Sequence, residues 1–77
     1  MPDLHINPED DIPTRIERCV GALDAVRLGA FLGLKKSTIY QMANDGRIPH
    51  YRIGGTIRFD PRIIAEWLRS LSIPAAA

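Results

Sequence analysis

The stretch from Asp24 to Gly46 constrains this chain most, because two short apolar stripes of helical period stand there on either side of a glycine. Ala25, Leu28, Phe31 and Leu32 fall at i, i+3, i+6 and i+7, one face of a helix. Asp24 precedes them as an N-cap, able to accept from the free amides of the first turn. Gly33 ends the helix, and Leu34 follows as an apolar plug in the turn. A second helix runs from about Lys36 to Asp45 with Ile39, Met42 and Ala43 on one face, and Gly46 stands at the αL cap position. Two helices of about nine residues joined by a three- or four-residue turn with glycine form a helix-turn-helix.

Beyond Arg47-Ile48-Pro49 the period changes to two. Tyr51, Ile53, Ile57 and Phe59 are apolar at alternate positions around two glycines, a half-buried hairpin pattern. A two-residue Gly54-Gly55 turn would pair Ile53 with Thr56 and Tyr51 with Arg58, mixing apolar and charged side chains on one face. A three-residue loop, Gly54-Gly55-Thr56, pairs Ile53 with Ile57 and Tyr51 with Phe59. The pattern therefore predicts the three-residue loop, with Arg52 directly opposite Arg58 on the outer face.

Asp60-Pro61 opens a last helix, with Asp as N-cap and Pro at the first helical position. Ile64, Trp67, Leu68 and Leu71 line its inner face, expected to lie against the hairpin, and Pro74 ends it. The fold class is mainly α with a small β-hairpin, a winged helix-turn-helix in the order helix, helix, hairpin, helix. The organisation expected is an acidic, mostly disordered leader over 1–21, a folded domain over 22–73 and a tail at 74–77. A short helix at 14–20, capped by Thr14 and stopped by Gly21, is compatible with the leader.

Composition narrows the function. A chain of 77 residues has room for one domain with a thin core. No apolar run approaches the roughly 18 residues of a membrane span. The amino-terminal MPDLHINPEDDIP has no apolar core of a secretory signal, so the expected location is the cytosol. Cys19 stands alone, and with His5 and His50 it has no ligand spacing, so neither a disulfide nor a metal is expected. Phe31 and Trp67 are core rather than a ligand-binding pair. No nucleophile–base set, phosphate-cradling glycine loop or carboxylate pair is present, so no catalytic residue and no cofactor is expected. Charge is unevenly divided: residues 1–23 carry five acids against two arginines, whereas 24–77 carry eight cations against four acids. A basic body behind an acidic leader points toward nucleic acid.

Within that body two groups of residues suit DNA. With Ile39 and Ala43 inward, helical geometry turns Ser37, Tyr40, Gln41 and Asn44 outward, where they could hydrogen-bond base edges or phosphates. Lys35 and Lys36 lie at the helix start, where free amides already favour a phosphate. In the hairpin, two like charges directly opposed cost about 0.2–1 kcal/mol unless something between them compensates, and successive phosphates would. Gly54, Gly55 and Thr56 leave the tip's backbone close to whatever it touches, and His50 is a further candidate phosphate contact.

Residues 23–68 resemble the excisionase-type subgroup of MerR-like winged helix-turn-helix domains, which includes the AlpA-like regulators of phages and mobile elements. The resemblance is carried by LGLKKSTIY, GRIP, YRIGGTIRF and the D-P-x-x-x-x-x-W-L of the last helix, in the family's order. It implies that the second helix enters the major groove through Lys36, Ser37, Thr38, Tyr40 and Gln41, and that the wing contacts DNA through Arg52, Thr56 and Arg58. Lys35 stands where the family usually has a capping Ser or Asp, Gln41 where Arg is frequent, and Gly29 where Ala is usual.

The expected function is sequence-specific binding of double-stranded DNA, as a recombination directionality factor or a transcriptional regulator. The alternatives are a protein-interaction adaptor docking an integrase, or the DNA-targeting module of a larger recombination machine. The Met start and the Pro-Ala end favour a complete small protein. The short last helix lacks the heptads of a coiled coil, so a monomer that assembles cooperatively on DNA is expected.

Overall fold

Aspartates start three of the four helices. The computed structural model describes residues 9–74, with the order α1 (Ile12–Glu17), α2 (Ala25–Leu32), α3 (Lys36–Asn44), β1 (Tyr51–Ile53), β2 (Thr56–Arg58) and α4 (Pro61–Leu71). Asp11 accepts from the Thr14 amide at 3.0 Å and Asp24 from the Arg27 amide at 2.8 Å. Asp60 accepts from the amides of Arg62 and Ile63, with Pro61 in the first turn of α4. A carboxylate there satisfies amides that have no partner inside the helix. α3 begins at Lys35 without any side-chain cap. The helix-helix-hairpin-helix order expected for residues 22–73 is thus present, and it is that of a winged helix-turn-helix.

The connection between α2 and α3 turns on two glycines. Gly33 caps α2 at a φ of 70°, a left-handed value that suits a residue without Cβ. Gly29, one turn earlier and buried, has ordinary helical backbone, but the chain after the turn crosses directly over it. The Leu34 amide donates to the Gly29 carbonyl at 2.9 Å, and a Cβ on Gly29 would fall into the Leu34 carbonyl oxygen. Leu34 itself remains partly exposed rather than plugging the turn.

One core joins the four helices and β2: Ile16, Leu23, Ala25, Leu28, Ile39, Ala43, Ile48, Ile57, Phe59 and Ile64, with Phe31, Leu32, Met42, Trp67 and Leu68 packed around it. Phe31 and Trp67 are thus core residues. A short antiparallel bridge that the sequence did not suggest, Leu23 with Phe59, ties the start of α2 to the end of the hairpin through two hydrogen bonds of 2.9 Å.

The structure corrects three expectations. First, the hairpin uses the two-residue turn: Tyr51 pairs with Arg58, Arg52 with Ile57 and Ile53 with Thr56. Gly54 has φ 62° and Gly55 no positive φ, the type II′ pattern, whose twist matches that of the flanking strands. The three-residue loop assumed that all four apolar residues share a buried face. Here Ile57 of β2 and Phe59 just after it, with Ile48 and Leu23, already cover the core, so Tyr51 and Ile53 turn out to solvent. Arg52 and Arg58 therefore lie on opposite faces.

Second, residues 9–21 are part of the packed body. α1 starts from Asp11, not Thr14, and Ile16 is fully buried. Third, α4 packs chiefly along α1 rather than on the hairpin. Arg69 of α4 reaches Glu17 at 3.0 Å and Thr14 Oγ1 at 3.4 Å. Leu71, expected on the inner face, is exposed. Leader residues 1–8 and tail residues 75–77 lie outside the described residues. Among the described residues no helix is long and apolar enough to cross a membrane.

Candidate nucleic-acid interface

Ile39 and Ala43 anchor α3 by its inner face and so decide what the helix presents. Lys36, Ser37, Tyr40, Gln41 and Asn44 are exposed, as is Lys35 before the first turn. Thr38 is half-buried and looks aside from that face. The N-terminal amides of α3 have no side-chain acceptor, and Lys35 and Lys36 form no ion pair with described residues. At this end the helix dipole adds to two lysine charges. Gly46, at φ 71°, and the Arg47 amide bonded to the Met42 carbonyl at 2.9 Å then stop the helix and turn the chain toward the hairpin.

The corrected register decides where the wing's cations point. Arg52 shares a face with Ile57 and reaches the C-terminal end of α3, where Nη2 donates to Asn44 Oδ1 at 2.8 Å. Two residues proposed separately from sequence are thus brought together. The C-terminal end of a helix carries partial negative charge, which favours a guanidinium there. Arg58 sits on the other face with Tyr51, half-buried, and its Nη1 donates to the Ile57 carbonyl at 2.8 Å. Gly54 and Gly55 form an open tip with Thr56 exposed beside them. His50 is half-buried, and its Nδ1 lies 2.8 Å from the Ile48 carbonyl. A carbonyl only accepts, so Nδ1 carries the proton.

Arg47, which sequence patterning did not single out, is exposed in the same connection, 3.3 Å from the Asp45 carboxylate. The other ion pairs involve α1 and the residues just before and after it: Asp10 with Arg18 at 3.3 Å and Glu17 with Arg69 at 3.0 Å. Asp10 and Glu17 are therefore paired with arginines around α1, while Lys35, Lys36 and Arg52 have no acidic partner among the described residues. No group of His, Cys, Asp and Glu among the described residues could hold a metal ion. Cys19 is half-buried, with its thiol 3.6 Å from the Arg15 carbonyl.

Residues 28–72, more than half of the chain, match the helix-turn-helix domain family. The chain belongs to that family. It is a DNA-binding helix-turn-helix protein. The match runs from the middle of α2 through α4, and α1 lies outside it. No curated protein and no solved structure matches the chain.

Proposed function

We propose that this helix-turn-helix protein binds a specific sequence in double-stranded DNA, as a recombination directionality factor of the excisionase type or a small transcriptional regulator of a phage or mobile element. It has no catalysis of its own and works in the bacterial cytosol or nucleoid. α3 enters the major groove. Ser37, Tyr40 and Gln41 read base edges, Lys35 and Lys36 hold phosphates at the helix start, and the wing lies along the backbone through Arg52 and its glycine tip.

The observation that carries this reading is the continuous exposed face formed by α3 and Arg52. It is polar, it bears cations without acidic partners, and a hydrogen bond joins its two elements. Cations of this kind release counterions from DNA, so binding should weaken as salt rises. Fluorescence anisotropy with a mixed-sequence duplex and with the tightest duplex selected from a random library tests both halves. Failure to bind either at low salt would refute DNA binding, and equal affinity for the two would refute sequence specificity.

One observation favours an integrase or other protein partner beside DNA. Tyr51, Ile53 and Ile63 are 47%, 62% and 42% exposed, and Tyr51 and Ile53 lie on the wing face opposite Arg52. A recombination assay with the integrase of the same element, comparing wild type with Ile53→Ser, would show whether that side matters apart from DNA affinity.

A further inference from the structure

We infer that Asn44 is a positioning residue that aims the Arg52 guanidinium at the DNA backbone, and that it does not read a base. The inference rests on the reading that Arg52 contacts DNA. Asn44 is the last residue of α3 and Arg52 the middle residue of β1, so their 2.8 Å hydrogen bond is a direct side-chain link between helix and wing. The bond directs the amide oxygen of Asn44 at the wing, whereas bidentate reading of adenine needs that oxygen and the amide NH2 to face the base together. It occupies one of the five N–H donors of Arg52 and leaves the others for phosphate oxygens.

The chemistry of the partner matters. A carboxylate in place of Asn44 would neutralise the guanidinium and repel the backbone. Asn44 supplies the same acceptor without charge, so Arg52 is held in place and keeps its full positive charge. An exposed arginine on a ribbon with three-residue strands otherwise samples many rotamers, and fixing it beforehand lowers the cost of ordering it on DNA. Among the described residues the Arg52 guanidinium hydrogen-bonds Asn44 and no other group, so its orientation depends on Asn44.

The test is a double-mutant cycle of Asn44→Ala and Arg52→Ala, read by anisotropy on both the mixed-sequence and the selected duplex over a range of salt. Asn44→Ala should weaken binding about threefold to tenfold, the value of one immobilised side chain, and by the same factor on both duplexes. Although it removes no charge, its salt slope should fall toward that of Arg52→Ala. The double variant should bind like Arg52→Ala alone. Thermal unfolding close to wild type for both single variants, as expected for an exposed pair, separates positioning from a merely structural role. Additive losses, or an altered preference at one base pair with Asn44→Ala, would overturn the inference. If Arg52→Ala itself leaves affinity and slope unchanged, the reading of Arg52 as a DNA contact fails first. Asn44→Asp is the second variant: it keeps the acceptor, so it should fold and retain the link while losing more affinity than Asn44→Ala.

Discussion

Arg52 Nη2 lies 2.8 Å from Asn44 Oδ1, whereas Arg58, in the third pair from the tip on the return strand, turns to the opposite face of the hairpin. The two arginines are therefore unequal. Arg52→Ala should make the dependence of log K on log salt shallower by about one unit and weaken binding to every sequence. Arg58→Ala should change the slope by much less, because its guanidinium is half-buried against its own strand. Equal slopes for the two variants would contradict the geometry, since both remove one charge and differ only in where it points.

Gln41 offers a sharper test of base reading. It is exposed in the middle of α3, with both amide atoms free of protein partners among the described residues. A glutamine can pair bidentately with adenine, at about 1–3 kcal/mol of discrimination. Gln41→Ala should relax preference at one base pair of the selected site and leave binding to mixed-sequence DNA nearly intact. A uniform loss on both duplexes would place Gln41 on the backbone instead.

The helices were legible because their signals are local: Asp24 and Asp60-Pro61 start α2 and α4, and Gly33 and Gly46 stop α2 and α3. The outward set on α3 followed from helical geometry once Ile39 and Ala43 were inside. The hairpin register was not legible, because it depends on how much core remains to be covered after Ile48 and Leu23 have packed. No pattern within 51–59 carries that information. The Asn44–Arg52 link inherits the same difficulty, since it exists only in the register that puts Arg52 on the Ile57 face. α1 was not legible because one buried residue, Ile16, carries it into the core, and the helix it packs along, α4, lies some fifty residues further on.

Gly29 is a packing requirement at the turn. Replacing a helical glycine with alanine normally gains up to about 1 kcal/mol through helix propensity. Here the new methyl group would strike the Leu34 carbonyl oxygen, which belongs to the backbone and is held by the Leu34–Gly29 hydrogen bond. Moving it shifts α3 against α2, and overpacking of this kind costs about 1–3 kcal/mol. Gly29→Ala should therefore lower the unfolding midpoint in urea. A stabilised variant would mean that the turn relaxes freely.

Affinity for a single site should be low, because one short helix and one small wing cover little DNA. Useful occupancy then calls for neighbouring copies on tandem sites. Val20, 93% exposed, offers surface for contact with the next copy. Sedimentation at tens of micromolar should show a monomer, and a duplex with three sites should bind more tightly per site than a duplex with one. A stable dimer without DNA would refute this arrangement.

Acid should loosen α1 before it affects α3. Glu17 is held below its ordinary value of 4.5, first by the hydrogen bonds from Arg69 and then by the charge of that guanidinium. Asp11 is held below 3.8, first by its hydrogen bonds to Thr14. A carboxyl whose folded pKa is depressed contributes stability that is present above its unfolded value and is lost as pH falls through the folded one. Both contributions are therefore complete near neutrality and fade as pH falls below about 4.5 through the depressed values. Glu17→Gln removes one titrating group, so the fall in melting temperature between about pH 7 and pH 3 should be shallower than in wild type. At neutral pH the variant should be less stable by that same amount, which is small because an exposed pair is well screened. Its DNA affinity should not fall, since the Glu17–Arg69 pair joins α1 to α4 and lies outside α3. Parallel melting curves for variant and wild type over that range would show that the Glu17–Arg69 pair does not secure α1 to α4.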